Sequence, residues 1–349
     1  MLIFTNRELE DKSDETAFTA RYQPAVDRLG FAQVATDAAG AWKVSDLHAD
    51  ADDQDSINEL LTLFAGPRPV LIQLHGNNNT PASCFARTLL FESIFDLEVV
   101  GFSWTSEGYL PDGSKLVGLT GDASGDGTNL KAVDAANRTD GPIQDMIQRY
   151  HQAKTNAKNS IDALARFFRL VGTARLAANA QPFSVAAHSL GCHFLQNALE
   201  VSGANESLGT AHNVALLAAC VRAAGHRDWV QKLHPEGQVF VTFNNADLVL
   251  AGAFFADNGD TKLGANPGSE LLESSSMRYI DFTGARNDIA QHDYFVRAGM
   301  SGQTRNVLTR IFGSEEDIKT GELPRKVYPV GCDERRLTCF MAAPQPHDG

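Results

Sequence analysis

The stretch Phe183-Ser184-Val185-Ala186-Ala187-His188-Ser189-Leu190-Gly191-Cys192-His193 constrains this chain more than any other. A run of strand-forming apolar residues leads directly into a serine flanked two residues either side by Ala187 and Gly191, and a helical pattern follows at once. A strand that passes into a helix through one residue needs small neighbours, because the backbone folds back on itself there. Such a turn lifts the serine hydroxyl above the sheet edge. The unpaired N–H groups of the new helix then point at any negative charge forming beside it. That geometry suits nucleophilic acyl transfer. A small-x-Ser-x-Gly match also arises by chance wherever a strand precedes a capped helix, so the rest of the chain has to decide.

With 349 residues, 43% of them hydrophobic, the chain can bury a large core, and one α/β domain with insertions is expected. A formal charge of −13 argues against nucleic acid and anionic membranes as partners, since both are held by clustered Lys and Arg. Charge enters at Arg7, so the N-terminus reads as a first strand and not as a signal peptide, and no apolar run approaches a membrane span. The five cysteines, Cys84, Cys192, Cys220, Cys332 and Cys339, have neither metal-site spacing nor the density of a disulfide scaffold. Reduced thiols in a cytoplasmic protein are expected, with no metal and no cofactor.

Along the chain, Phe18 to Leu29 reads as helix-like but broken by Pro24, and weak extended segments follow around Phe31–Val34 and Ala41–Val44. The acidic run from His48 to Asp55 reads as a loop, with Ser56 capping a helix whose apolar positions are Ile57, Leu60, Leu61 and Phe64. Val70-Leu71-Ile72-Gln73-Leu74 has the near-continuous apolar character of a strand buried on both faces, and Val99 to Trp104 repeats it after a helix from about Ala82 to Phe91. Residues 105–141 lose periodicity and are rich in Gly, Asp, Ser and Asn, the texture of a loop or lid insertion. Asp122 and Asp126 in it lack the spacing of a calcium loop. A long helical stripe from Pro142 to Val171 precedes the opening strand. Further strands are expected at Asn213–Ala218, Gln238–Phe243 and, last, Arg278–Phe282. Alternating strands and helices define a mostly parallel sheet of about eight strands covered on both faces, occupying residues 1–312, with 313–349 as a C-terminal extension.

Reactive groups in such sheets gather at the carboxyl ends of the strands. Four ends carry candidates: His75-Gly76-Asn77, Ser189, Asp247 and, shortly after the last strand, His292. The chain order Ser, Asp, His is the one used by serine hydrolases built on this kind of sheet. Asp228 and Asp281 compete with Asp247, but Asp281 belongs to its own strand. His75, His188, His193 and Cys192 read as structural.

At these residues the sequence resembles the alpha/beta-hydrolase superfamily, and within it the bacterial hydrolases grouped as a domain of unknown function. The matching pieces are Phe4-Thr5-Asn6-Arg7, Leu74-His75-Gly76-Asn77-Asn78-Asn79, Val100 to Ser106, His188-Ser189-Leu190-Gly191 with Asn197-Ala198-Leu199, Asn245-Ala246-Asp247, Lys262-Leu263-Gly264, Ile280-Asp281 and His292-Asp293-Tyr294-Phe295. Ala187 stands where the elbow's first glycine is usual, and Cys220 where relatives tend to carry an aspartate.

The resemblance implies a three-layer alpha/beta-hydrolase fold. Ser189 would be the nucleophile, His292 its base and Asp247 the acid that orients the base, with the backbone N–H groups of Asn77 and Leu190 as the oxyanion hole. The expected reaction is cleavage of a carboxylic ester, or a related thioester or amide, in a small-molecule acyl substrate. A catalytically silent scaffold that binds a partner is the alternative. Nothing in the sequence sets an oligomeric state.

Overall fold

The two apolar runs Val70–Leu74 and Phe183–His188 are buried at every residue and lie side by side at the centre of one large sheet. Covered on both faces, neither needs the polar alternation of a half-exposed strand. A computed structural model describes residues 1–116, 140–178, 182–201, 203–272, 274–283, 290–297, 299–313, 332–333 and 338–340. Its strands are β1 (Leu2–Thr5), β2 (Arg7–Leu9), β3 (Phe18–Tyr22), β4 (Gly30–Thr36), β5 (Trp42–His48), β6 (Val70–Leu74), β7 (Glu98–Ser103), β8 (Phe183–His188), β9 (Val214–Leu217), β10 (Val239–Phe243), β11 (Met277–Asp281), β12 (Cys332–Asp333) and β13 (Thr338–Phe340). The helices are α1 (Asp53–Phe64), α2 (Pro81–Phe95), α3 (Asp140–Asn159), α4 (Ile161–Ala178), α5 (Leu190–Ala198), α6 (Ala204–Leu208), α7 (His226–Val230), α8 (Leu248–Ala256) and α9 (Gly302–Gly313).

Among the described residues eleven strands form one sheet in the order β12-β13-β11-β10-β9-β8-β6-β7-β1-β4-β5, and β2 pairs with β3 apart from it. From β13 to β1 every neighbouring pair is parallel. The edges β12 and β4–β5 are antiparallel. After β6 the chain places β7 on one side and β8 on the other, so the winding reverses between β6 and β8. In open parallel sheets, ligands bind outside the carboxyl ends of the strands at such a reversal.

Successive β1 residues show the layering. Ile3 lies toward α2, beside Gly101, where an added Cβ would come within 2.7 Å of Thr88 Oγ1. Phe4 faces the other way, onto Phe167 of α4 at 4.9 Å between ring centroids. Because neighbouring residues of a strand point to opposite faces, α2 and α4 cover opposite sides of the sheet. Phe312 of α9 packs edge-on against Phe91 and Phe95 of α2, at 5.3 and 5.1 Å.

Arg7, just past β1, is buried and ties its own segment to β3 and to the stretch after β7. Its guanidinium donates to Ser103 Oγ at 3.1 Å, Thr19 O at 3.1 Å, Trp104 O at 2.6 Å and Glu107 Oε2 at 2.7 Å. Asn156 of α3 donates to the carbonyls of Thr105 and Tyr109, both at 2.9 Å. The expected 105–141 insertion therefore begins as a buried anchor, and its residues 117–139, with Asp122 and Asp126, lie outside the described residues.

Several local expectations change. Phe18 to Leu29 is not helical: β3 occupies its start. Phe18 and Tyr22 are four apart, a spacing that shares a face in a strand as well as in a helix, and both are buried. Helix α1 is capped by Asp52, whose carboxylate accepts from Asp55 N at 2.7 Å, so Ser56 lies inside the helix. Asp53 and Asp55, expected within the loop, instead lie in the first turn, where the helix dipole favours them. The single stripe from Pro142 to Val171 is two helices that break at Ser160, whose Oγ accepts from Asn6 Nδ2 at 2.7 Å. The sheet exceeds about eight strands because the antiparallel edge strands β4, β5 and β12 extend its eight parallel ones. Arg278–Phe282 is not the last strand, since β13 pairs with β11. No described helix is long and apolar enough to cross a membrane.

Glu107→Ala strips a buried guanidinium of its carboxylate, with side-chain exposures of 0% and 3% in the pair. Losing one partner of such a pair costs about 3–5 kcal/mol. Chemical denaturation should show at least about 3 kcal/mol lost, and a change below about 1 kcal/mol would show that the carbonyl acceptors alone suffice for Arg7.

Candidate active site

Ser189 is the one residue between β8 and α5, and its backbone takes φ 51° and ψ −118°. L-residues rarely adopt this region, at a cost of about 1–3 kcal/mol that the surroundings must offset. Three hydrogen bonds hold it. Its N–H donates to Leu217 O of β9 at 2.9 Å, and its carbonyl accepts from Cys192 N at 3.1 Å and Cys220 N at 3.0 Å. Two glycines let neighbouring backbone close on this turn. A Cβ on Gly191 would stand 2.6 Å from His75 O and 2.7 Å from Leu74 O, while one on Gly76 would stand 2.8 Å from Ser189 Cβ. The loop after β6 is thus in contact with the serine.

Asp247 follows β10 and caps α8. One carboxylate oxygen accepts from Leu250 N at 2.9 Å, and the other accepts from His292 Nδ1 at 2.7 Å. The Nδ1 proton is thereby committed to Asp247, which leaves Nε2 as the imidazole's lone-pair nitrogen. His292 is held through its neighbours. Leu248 N donates to Ala290 O at 3.0 Å, and Asn244 Nδ2 to Gln291 O at 3.0 Å. The Tyr294 hydroxyl shares a hydrogen bond with Thr242 Oγ1 at 2.6 Å and accepts from Ala218 N at 3.2 Å. Burial pushes Asp247 above the ordinary carboxylate range. Burial also opposes charge on His292, but the Asp247 charge and hydrogen bond outweigh it and raise the imidazole above its ordinary value.

Ser189, Asp247 and His292 are all buried at the carboxyl end of the sheet. His188, beside the serine, packs its ring on that of His292 at 4.6 Å between centroids. No hydrogen bond runs from Ser189 Oγ to His292 in this structure. Hydrogen bonds of this kind often tighten only when substrate binds.

Sequence reasoning gave no part to Arg87 and no role to Asp293. Arg87 of α2 donates to Asp293 Oδ1 at 2.8 Å, and His188 Nε2 lies 3.7 Å from the same oxygen. The Arg87 guanidinium beside it holds Asp293 well below the usual carboxylate range despite burial. Burial in turn keeps His188 neutral, far below its usual value. This cluster fixes the residue following His292. Its members are separated by 206 residues between Arg87 and Asp293, which no local spacing reveals.

The two expected oxyanion donors sit where their peptides are constrained. Gly76 O bonds His75 Nδ1 at 3.0 Å and Asn79 Nδ2 at 3.3 Å. In a trans peptide the N–H of Asn77 points the opposite way, away from those partners. Leu190 is the first residue of α5, so its N–H has no acceptor within the helix.

The other candidates fall into structural places. His75 Nε2 accepts from Trp104 N at 3.1 Å, and burial drives its pKa down to about 3. Cys192 donates to Ala187 O at 3.0 Å, and burial pushes its thiol well up. Asp281 accepts from Thr283 N at 2.8 Å in a turn, and Asp228 lies in the first turn of α7. Among the described residues no group of three His, Cys, Asp or Glu side chains is placed to hold a metal.

Comparison of the chain with protein-family models, curated proteins and solved structures found no match. What the site does must be argued from its own chemistry.

Gly191→Ala puts a methyl group against backbone carbonyls that cannot rotate away. Overpacking of this kind costs about 1–3 kcal/mol, and the loss should appear in the denaturation midpoint. Wild-type stability in the variant would mean that α5 and β6 can separate freely.

Proposed function

We propose that this chain is a serine hydrolase of the alpha/beta-hydrolase type, cleaving a carboxylic ester through an acyl-serine intermediate. The observation that carries the reading is the buried His292 Nδ1 bond to Asp247 at 2.7 Å, at the same sheet edge as a serine held at positive φ. The strand order, with its reversal between β6 and β8, supports it.

Ser189 Oγ attacks the acyl carbon as its proton passes to His292 Nε2, and Asp247 stabilises the imidazolium that forms. Negative charge moves to the acyl oxygen, which accepts from the Leu190 and Asn77 N–H groups. Collapse breaks the ester C–O bond, and His292 returns the proton to the leaving alkoxide, releasing an alcohol. Water then repeats the sequence, giving its proton to His292 and its oxygen to the acyl carbon. The carboxylic acid leaves and Ser189 recovers its proton. Thioesters and amides would follow the same steps. Cys220, whose thiol burial pushes up to about 11, is a poor competitor as nucleophile.

A fluorophosphonate probe should label Ser189, and Ser189→Ala should abolish the adduct. Folded wild-type protein without a Ser189 adduct would leave the silent-scaffold reading in its place. The rate should fall as pH drops through the His292 pKa, because only the neutral ring accepts a proton. Since that pKa is raised, the acid limb of kcat/KM should lie above 6.5. Asp247→Asn should cut the rate by about 10⁴ and move the limb to lower pH, whereas an unmoved limb would contradict the assigned pair.

A further inference from the structure

Two buried charges beside the base take no part in the steps above. Asp293 follows His292 directly, and Arg87 reaches it from α2, donating from Nη1 to Oδ1 at 2.8 Å with only 10% and 11% of the two side chains exposed. Arg297, on the same segment as Asp293, stands 3.8 Å from Oδ2. The Arg87 guanidinium lies over the Phe295 ring at 6.0 Å, Phe295 packs on His188 at 4.7 Å, and His188 packs on His292 at 4.6 Å between centroids. These contacts make an unbroken path from α2 to the base.

A buried ion pair adds little net stability over apolar side chains of the same size, so its value lies in the arrangement it fixes. Here it fixes the chain on the C-terminal side of His292, while the Asp247 bond holds the ring itself. Charge matters as well as anchorage. Among the described elements, His292 is faced by Asp247 after β10, His188 of β8, Asp293 on its own segment and Arg87 of α2. Burial keeps His188 neutral, and does the same for His75 at the end of β6. After burial and Asp247, the influences on the His292 ring are Asp293, which favours its positive charge, and Arg87, which opposes it. A guanidinium does not shed its proton, so Arg87 without Asp293 would oppose the imidazolium at any working pH.

We propose that Arg87 and Asp293 are positioning residues for the base: as one neutral pair they fasten the chain beside His292 to α2 and leave Asp247 as the single charge that the imidazole answers. The inference rests on the hydrolase reading above for the role of His292.

The test compares wild type, Asp293→Asn, Arg87→Lys and the double variant Arg87→Met/Asp293→Asn. In each, kcat and KM for p-nitrophenyl acetate are followed against pH, and the His292 ring is titrated without substrate by NMR of 15N-labelled histidine. Asp293→Asn leaves the Arg87 charge unbalanced, so the acid limb and the ring titration should both move to lower pH by at least about half a unit. The double variant removes both charges and should bring the limb back to that of wild type, yet its plateau kcat should stay at least about tenfold low because the anchor is gone. Arg87→Lys keeps the charge without the planar fork, so its limb should stay in place while its plateau falls. Should Asp293→Asn fail to fold, the other two variants decide, and a wild-type plateau in both overturns the proposal. A limb and ring titration unmoved in folded Asp293→Asn overturn it as well, and leave the hydrolase standing if Ser189 still takes the fluorophosphonate. No adduct at Ser189 in folded wild type overturns both.

Discussion

The site depends on one backbone conformation, Ser189 at φ 51°, and the sheet around it is arranged to keep it there. Bonds from Leu217, Cys192 and Cys220 fix both sides of the residue, while Gly191 and Gly76 allow neighbouring backbone to close in. Strain of about 1–3 kcal/mol is stored where it presents a hydroxyl and the free N–H of Leu190 to the same small space. Relaxed to an ordinary strand or helix geometry, the residue would lose that direction.

Charge is buried at three places around this turn, each time with a partner. Arg7 with Glu107 secures the segment after β7, Arg87 with Asp293 secures the residue after His292, and Asp257 with Lys154 and Lys262 secures the end of α8. An unpaired charge at any of them would cost several kcal/mol, so each fixes one arrangement of its loops. His292 and Asp247 follow the same principle, with the difference that Nε2 of the ring is left for chemistry.

The sequence was most legible where one signal had one physical meaning. Val70–Leu74 and Phe183–Ala187 read as buried strands, and both are; the serine flanked by Ala187 and Gly191 read as a passage from strand to helix, and Ser189 stands there. Asp247 and His292 were legible because strand ends in a parallel sheet meet at one edge, and the structure joins them. Where a spacing fits two periods the reading failed: Phe18 and Tyr22 share a face in a helix and in a strand alike. Asp52 was missed as a cap because acids near a helix start resemble a loop. Arg87 was invisible because its partner lies on the far side of the chain in sequence, and β12 and β13 were invisible because two or three residues carry no periodicity.

The proposed function turns on Ser189 taking up the acyl group itself. The direct measurement is a rapid acid quench of the protein mixed with a p-nitrophenyl ester, followed by peptide mapping by mass spectrometry. The expected result is a burst of nitrophenol approaching one equivalent per chain, with the ester's own acyl group on the peptide that contains Ser189. Turnover without a burst and with the acyl group on Cys192, on Cys220 or on no residue would contradict it.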